Sequence, residues 1–407
     1  MNHYQLMNKD NTILEFSCDR DEFDEPVFSE CVWKSDKHPI GFTNIYSFLE
    51  RRKAPKHREH IQELLAKFGC NDIEGFIRVT HAASLNDTFW VREGGSPLNW
   101  RDISLYQNDF SELISIAAFD GIIPDEDLSS TSPEFSTDGA YAKCWAREND
   151  SILLYKTGSK LHEIEPLSEF LATQLSVKLC VKPVLYDLDF YNGKLISKCA
   201  LFTDEVQGFA PMSRLFKEKT SVSNLLSFYD QIGCGNDFRR MCVFDALIFN
   251  TDRHFGNFGV SFNNDTMEIL GMAPIFDNNR SLFFNVDDSS ISNLSYYARN
   301  ASPRLGTDFN ITASQLLTPE IRSDLKNLSG FKFEQHPQIK VPQQRLDVLS
   351  RFVNVQIDQI LNRTPVRLAA EQGNYNFKSL DVKIDQACNS TPVVSVGCGR
   401  TPKFSER

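Results

Sequence analysis

Two short polar segments constrain the fold of this chain more than any other part of its sequence. They are Asn250–Asn257, with the sequence NTDRHFGN, and Ala273–Asn279, with the sequence APIFDNN. The first supplies Asp252 and, five positions later, Asn257, and the second supplies Asp277 after a short apolar run. A fold that uses these residues together must bring three oxygen-bearing side chains to one place.

The residues around the two segments predict how this is done. The apolar run Cys242–Phe249 predicts a buried helix, after which the chain enters a loop. Residues Gly259–Phe262 and Met267–Leu270 predict the two strands of a hairpin. That hairpin would return the chain and set the second segment beside the first.

The chemistry of the three side chains fits phosphoryl transfer. Magnesium prefers hard oxygen ligands, so Asn257 and Asp277 would hold one or two Mg²⁺ ions on the phosphates of a nucleotide. Asp252 would orient an acceptor hydroxyl and take its proton. The same order of residues is found in the catalytic and metal-binding loops of protein kinases. Arg253 and His254 would brace the loop by hydrogen bonds.

The sequence before these loops predicts a small β-rich lobe. Strands are predicted at residues 141–146, 151–156, 181–188 and 194–201, with the tight turn Asn192-Gly193 between the last two. A helix with apolar residues at helical spacing, Leu167–Leu175, lies between the second and third strands. Largely helical sequence then runs from Ser213 to about Asn362. This order predicts a small lobe followed by a larger helical lobe.

A lysine and two glutamates are the candidate partners of the nucleotide in this lobe. Lys156, at the end of a strand, would neutralise the α- and β-phosphates, although a solvent-facing lysine is the alternative. Glu165 and Glu169 lie on one face of the next helix, and either would reach back to Lys156. Glu169 is preferred because it lies within the apolar-periodic body of the helix. Both acids could instead stabilise the N-terminus of the helix through its dipole.

The loop that covers the nucleotide is predicted at residues 132–140. Backbone amides and hydroxyls of Ser136, Thr137 and Gly139 would hold phosphate oxygens. The segment has one glycine and matches neither of the common glycine-rich phosphate motifs, so an ordinary turn is the alternative.

The first 121 residues carry no phosphate loop, metal cluster or catalytic pair, and predict an accessory α/β domain. A strand is predicted at Thr12–Phe16 and a helix at Ile61–Phe68, while Phe76–Val79 and Thr88–Arg92 predict strands or turns. A turn-rich linker, Pro124–Pro133, follows.

Composition excludes several other classes of protein. The net charge of −11 argues against a surface built to bind nucleic acid. No stretch approaches the roughly 18–20 continuous apolar residues that cross a bilayer. The ten cysteines are scattered without zinc spacing, which favours reduced thiols. No secretory signal is visible at the N-terminus, so we expect a cytoplasmic protein.

Together these patterns predict an α+β, bilobal, protein-kinase-like fold with an N-terminal accessory α/β domain. The predicted parts are an accessory domain at 1–121, a small lobe at 122–204, a large lobe at 205–363 and a C-terminal extension, partly ordered, at 364–407.

At these residues the chain resembles the HipA-type serine/threonine kinases, including the CtkA-like branch, which share a distant protein-kinase-like fold with the phosphatidylinositol kinases. The motifs that carry the resemblance are Asn250–Asn257, Ala273–Asp277, Glu165–Ala172 and Ser132–Trp145, and they span roughly residues 125–365.

The resemblance implies ATP- and Mg²⁺-dependent phosphorylation of a Ser or Thr hydroxyl on a protein, in a bacterium. It also implies toxin–antitoxin biology or delivery as an effector, an antitoxin or regulatory protein as partner, and autophosphorylation in or near the phosphate loop. By that analogy Ser136 or Thr137 is the candidate acceptor. A backbone strand after Ser197–Phe202 is the candidate adenine-binding hinge, with Phe202 as a candidate contact of the nucleotide.

The chain departs from these families at two places. Asn278-Asn279 follows the metal aspartate where protein kinases have Phe-Gly, and residues 1–120 do not match the N-terminal domain of the best-known HipA proteins. Two other functions stay open. One is a phosphoinositide or small-molecule kinase, because Asp-Arg-His-x-x-Asn also resembles phosphoinositide kinases. The other is a nucleotide-binding pseudokinase that serves as an interaction module.

Overall fold

A computed structural model describes residues 2–363, with gaps at 24, 56, 71, 123–131, 160–162, 181 and 218. All the described residues belong to one compact unit. Most of the predicted linker and all of the predicted C-terminal extension lie outside the described residues. The predicted domain boundaries therefore stay predictions.

The first sheet contains four antiparallel strands in the order β3-β2-β1-β4. Its strands are β1 (Asn2–Asn8), β2 (Asn11–Arg20), β3 (Pro26–Trp33) and β4 (Phe89–Glu93). The helices around it are α1 (Ile45–Glu50), α2 (Ile61–Lys67), α3 (Ile73–Thr80), α4 (Trp100–Ile103) and α5 (Glu112–Asp120). The mixed α/β character predicted for this region is observed.

The prediction of a strand or turn at Phe76–Val79 is wrong, because these residues lie within α3. The side chain of Asp72 caps this helix by accepting a hydrogen bond from the N–H of Gly75 at 2.7 Å. Ile73, Phe76, Ile77 and Thr80 are buried at helical spacing against the sheet. That spacing outweighs the strand preference of the short run.

The second sheet follows the predicted β-β-α-β-β order. Its strands are antiparallel in the order β5-β6-β8-β7. A 3₁₀ turn at Pro133–Ser136 leads into β5 (Lys143–Glu148), β6 (Ser151–Lys156), α6 (Glu165–Leu179), β7 (Tyr186–Tyr191) and β8 (Lys194–Ala200). Asn192 and Gly193 both have positive φ, as a tight hairpin turn requires.

A third sheet links the second sheet to the helices. It contains the predicted hairpin, β10 (Gly259–Asn263) and β11 (Ile269–Met272), and a strand that was not predicted, β9 (Gln207–Pro211), in the order β11-β10-β9. The helices are α7 (Met212–Leu215), α8 (Val222–Gln231), α9 (Gly235–Ile248), α10 (Leu294–Asn300), α11 (Phe309–Leu316), α12 (Pro319–Asn327) and α13 (Gln343–Asn362), and a 3₁₀ turn lies at Ile291–Asn293. The fold is therefore mixed α+β, as predicted, whereas its division into two lobes stays a prediction.

The N-terminal region packs closely against the rest of the unit. The side-chain amide of Asn8 donates to the carbonyl of Asn264 at 2.6 Å. The N–H of Phe209 in β9 donates to the carbonyl of Asn86 at 2.7 Å. These contacts make the first sheet a structural support of the region that follows β8. Among the described residues, no helix is long and apolar enough to span a membrane.

Candidate active site

A buried ion cluster joins the second sheet, α6 and the segment after β11. The Nζ atom of Lys156 forms an ion pair with the carboxylate of Glu169 and lies 2.6 Å from Oδ1 of Asp277. The second oxygen of Glu169 accepts a hydrogen bond from the hydroxyl of Ser197. Lys156 is 3% exposed and Glu169 is 0% exposed, so water screens this cluster poorly.

Sheet register explains why these residues meet. Lys156 is the last residue of β6 and pairs with Lys143 on β5 and with Ser197 on β8. Directly paired residues on neighbouring strands face the same side of a sheet. Glu169 lies in the second turn of α6, which packs on that side. The N–H of Asp277 donates to the hydroxyl of Tyr186 at 3.0 Å, and this bond holds Asp277, the third residue of the ion cluster, in place.

Only one of the two predicted glutamates contacts the lysine. Glu165 begins α6, and its carboxylate instead accepts a hydrogen bond from the N–H of Ser159 at 3.1 Å. Glu169, one turn further along, makes the ion pair. The structure therefore does not bring Glu165 to Lys156. Glu165 instead holds the loop before α6 through its hydrogen bond with Ser159.

The charges in the cluster stabilise one another. Burial alone would lower the pKa of Lys156, but Asp277 and Glu169 together raise it above the ordinary value for lysine. Burial alone would raise the pKa of Asp277, but Lys156 and Lys143 lower it well below its usual range. Burial raises the pKa of Glu169, the most enclosed of the three. Lys156 stays a cation and Asp277 an anion at neutral pH.

The loop after α9 carries Asp252. Phe249, with φ of 51°, ends the helix in the left-handed region, and the chain then turns toward the cluster. The carboxylate of Asp252 lies 3.2 Å from Nε of Arg304 and 3.5 Å from Nη1 of Arg280. The side chain of Asp252 is 16% exposed, so an acceptor group can approach it from solvent.

One buried arginine connects this loop to the segment that carries Asp277. Nε and Nη2 of Arg253 each donate to the carboxylate of Asp245 on α9, at 2.9 Å. Its Nη1 donates to the carbonyls of Asn257 at 2.9 Å and Phe276 at 2.6 Å, and its Nη2 donates to Oδ1 of Asn278 at 2.6 Å. Because one nitrogen of this guanidinium bonds to both carbonyls, the backbone at Asn257 is held near the backbone at Phe276, which directly precedes Asp277.

The donor set suits a hard divalent cation. The amide NH₂ of Asn257 donates to the carbonyl of Asp252 at 3.1 Å, which leaves its amide oxygen as the atom that could ligate a metal. Asp277 gives one carboxylate oxygen to Lys156 and has a second one to offer. Within the described residues no group of three or more His, Cys, Asp or Glu side chains could hold a metal. Two protein oxygens suit Mg²⁺, which usually completes its shell with phosphate and water.

The predicted phosphate loop lies at the start of the second sheet. The hydroxyl of Thr137 donates to the carbonyl of Pro133 at 2.6 Å and accepts from Nε1 of Trp145 at 2.7 Å. The hydroxyl of Ser136 makes one longer contact, to the same carbonyl at 3.3 Å. Gly139 has φ of 106°, a backbone conformation that residues with a side chain rarely adopt, so the loop favours glycine at this position.

Sequence reasoning missed Lys143, a second lysine of the site. It is 6% exposed, and its Nζ donates to the carbonyl of Asp138 at 2.7 Å. Burial and the neighbouring charge of Lys156 lower its pKa to about 8. A signal was present in the sequence: the two-residue turn Asn149-Asp150 sets a hairpin register that pairs Lys143 with Lys156.

The predicted hinge residue Phe202 lies in an aromatic cluster beside the ion cluster. Its ring centroid is 5.5 Å from that of Phe209 on β9 and 5.4 Å from that of Phe276. Phe276 directly precedes Asp277, so this apolar surface adjoins the charged one. An apolar surface next to cations is what a nucleotide base and its phosphates require.

A polar cavity of about 450 Å³ lies elsewhere, between the first sheet and α3. Its lining includes Arg20, which pairs with Asp72 and Glu74 at 2.7 Å each. None of the residues predicted for the site lines this cavity. The chemistry of the ion cluster, rather than cavity size, therefore locates the candidate active site.

Comparisons with known proteins agree with this fold. No protein-family model matches the sequence, and no curated protein matches it significantly. Among solved structures, HipA of Shewanella oneidensis MR-1, in complex with HipB and its operator DNA, is similar with a TM-score of 0.51 at 13% identity, over 89% of this chain and 100% of that one. The Helicobacter pylori proinflammatory kinase CtkA is similar with a TM-score of 0.43 at 20% identity, over 54% of this chain and 88% of that one. The chain has a HipA-type kinase fold, and the resemblance drawn from its sequence is confirmed at that level.

Proposed function

We propose that this protein is a HipA-like kinase that transfers a phosphoryl group from Mg²⁺-bound ATP to a Ser or Thr hydroxyl of a protein. The observation that carries the proposal is the convergence of Lys156, Glu169 and Asp277 in one buried cluster. The second support is Arg253, which holds the Asp252 loop beside that cluster.

Each residue has a distinct role in this proposal. Lys156, oriented by Glu169, would bind the α- and β-phosphates. Asn257 and Asp277 would hold Mg²⁺, which when bound neutralises charge on the phosphates. Asp252 would orient the acceptor hydroxyl and accept its proton at a carboxylate oxygen. Arg280 and Arg304 contact that carboxylate, so an acceptor must compete with them for it.

Transfer of label from ATP tests the proposal directly. The protein should label protein acceptors in the presence of Mg²⁺, and Asp252→Ala should abolish the labelling. Inositol lipids are assayed separately, and label that appears only on lipid would overturn the protein-kinase assignment. Binding of ATP without turnover, in wild type and Asp252→Ala alike, would identify a pseudokinase.

Autophosphorylation is proposed at Ser136 rather than Thr137. The hydroxyl of Thr137 is engaged as both donor and acceptor, whereas Ser136 makes one weak contact. Mass spectrometry after incubation with ATP and Mg²⁺ should find phosphate at Ser136. Phosphate at Thr137 alone would contradict this choice.

An antitoxin-like protein partner is also proposed, with support from the similar HipA, which was solved with HipB and operator DNA. A toxin of this kind should arrest the growth of a bacterial host that expresses it without the partner. The arrest should disappear with Asp252→Ala, and unimpeded growth with the active kinase would count against the assignment.

A further inference from the structure

The N-terminal region supplies a buried arginine to the predicted phosphate loop. Arg58 lies between α1 and α2 and is 2% exposed. Its Nη1 donates to the carbonyls of Glu134 at 2.6 Å and Thr137 at 3.2 Å, and its Nη2 donates to the carbonyl of Lys143 at 2.8 Å. One guanidinium therefore ties the beginning and the middle of the loop to the first residue of β5.

Backbone contacts from the same segment reinforce this attachment. The N–H of Ala54 donates to the carbonyl of Phe135 at 2.8 Å, and the N–H of Glu59 donates to the carbonyl of Ala140 at 3.0 Å. Together with Arg58, these bonds engage four carbonyls of the loop and one at the start of β5. The N–H of Gly139 donates to Oδ1 of Asp138 at 2.7 Å, and the loop N–H groups without such a partner are the side that can turn to an anion.

The buried charge of Arg58 has a counterion at the base of the loop. Burial lowers the pKa of Arg58 to about 10, and the charge of Glu134 opposes this shift, so the guanidinium stays charged at neutral pH. The carboxylate of Glu134 is 0% exposed and accepts hydrogen bonds from the hydroxyl of Ser115 at 3.1 Å and the N–H of Trp145 at 3.0 Å. The hydrogen bonds of Ser115 and Trp145 to Glu134 therefore anchor the start of the loop.

We propose that Arg58 is a positioning residue of the nucleotide site, which holds the phosphate loop in the shape that binds ATP. The inference rests on the proposed function. A loop with one glycine has few backbone N–H groups that can reach a phosphate unless its shape is fixed from outside. Fixing it before ATP arrives removes the ordering cost from binding.

Arg58→Lys is the test variant because it keeps the charge and loses the planar fork. One ammonium group cannot reproduce the bonds to three separated carbonyls. Arg52→Lys is the matched control: Arg52 lies in the same segment and is also 2% exposed, but its guanidinium pairs with Asp87, at 2.9 Å for both contacts. Both variants keep a buried charge and lose a planar fork. Arg52 also donates to the carbonyls of Ala82 at 2.6 Å and Phe89 at 2.8 Å, and of the two guanidiniums only that of Arg58 bonds to the loop.

Two measurements on the full chain separate a positioning role of Arg58 in the nucleotide site from a purely structural role. The first is steady-state phosphate transfer as a function of ATP concentration. Arg58→Lys should raise the KM for ATP about tenfold, with kcat within about threefold of wild type, because ATP binding must then order the loop itself, and a tenfold loss of affinity corresponds to about 1.4 kcal/mol. Arg52→Lys should leave both constants near wild type.

The second measurement is amide hydrogen exchange in the absence of nucleotide. Residues 133–143 should exchange faster in Arg58→Lys than in Arg52→Lys. Equal exchange in the two variants, or equal KM values for ATP, overturns the positioning role. A wild-type protein that neither binds nor turns over ATP overturns the proposed function, and with it the nucleotide role of Arg58, while exchange still reports whether Arg58 holds the loop.

Discussion

Replacing Lys156 by methionine tests the ion cluster most directly. The substitution keeps the length of the side chain and leaves the carboxylates of Glu169 and Asp277 without their shared cation. Removing one partner of a buried ion pair typically costs about 3–5 kcal/mol. Asp277 keeps the neighbouring charge of Lys143, so the penalty falls mainly on Glu169. Protonation of Glu169 limits this penalty, because a glutamate with an ordinary pKa of about 4.3 takes up a proton at pH 7 for about 3.7 kcal/mol.

This limit makes the penalty depend on pH. In the variant, the pKa of Glu169 in the folded state lies above its unfolded value, so the folded state binds a proton more readily and gains stability as the pH falls. At pH 5 the same protonation costs about 1 kcal/mol. The difference in unfolding free energy between wild type and Lys156→Met should therefore shrink from about 4 kcal/mol at pH 7 to about 1 kcal/mol at pH 5.

Urea unfolding at the two pH values, without nucleotide or Mg²⁺, measures this difference. Adding Glu169→Gln to Lys156→Met should recover most of the loss at pH 7, because glutamine needs no proton. The control is Lys198→Met, which removes an exposed pair with Asp189 and should cost at most about 1 kcal/mol at either pH. A penalty for Lys156→Met that does not change with pH, or a double variant that is simply the sum of the two single ones, would refute the reasoning.

Three further predictions concern the chemistry and the loops. Asp252→Asn should lower kcat by about 10²–10⁴-fold and leave the affinity for ATP near wild type. Single-turnover kinetics and ATP titration measure these two quantities. Unchanged turnover would exclude Asp252 as the base. The pKa of Lys143 is about 8, so its charge is lost as the pH rises through that value. The affinity for ATP, measured by calorimetry, should therefore fall above pH 8. Lys143→Arg should keep the affinity constant up to pH 10, and a parallel fall in both proteins would contradict this prediction. Arg253→Lys should lower the free energy of unfolding, measured in urea, by about 3 kcal/mol and weaken Mg²⁺-dependent activity, because lysine cannot replace the planar guanidinium. A variant as stable as wild type would mean that the segments around Asp252 and Asp277 do not depend on Arg253.

The second sheet could be predicted from sequence because its signals are local. Each strand of the β5–β6 and β7–β8 hairpins is followed within a few residues by its partner, and turn residues mark the reversals. β9 could not be predicted in this way. Its five residues include a glycine and a proline, and its partner β10 lies about fifty positions further along the chain. Its strand state therefore depends on a non-local pairing.

The candidate site shows the same division between local and non-local information. Helical spacing placed Glu165 and Glu169 on one face, and the apolar periodicity of the helix favoured Glu169, the residue that pairs with Lys156. Spacing alone did not show that contact, because it depends on where β6 ends relative to α6. Hairpin register, by contrast, contained enough information to find Lys143. The ties made by Arg58 could not be found, since they join segments more than seventy residues apart.

The backbone at Asp277 explains why so many contacts surround it. Its φ of 56° lies in the left-handed region, which costs a residue other than glycine about 1–2 kcal/mol. Protein kinases place Phe-Gly after this aspartate, whereas here Asn278 follows, and its side chain is held by Arg253. Lys156 contacts the carboxylate of Asp277, Tyr186 accepts a hydrogen bond from its N–H, and Arg253 holds the next residue, Asn278. These three contacts fix the position of Asp277. The segment around Asp277 is therefore held in one conformation by buried contacts, and the strain at Asp277 is offset by the ion pair that also defines the candidate active site.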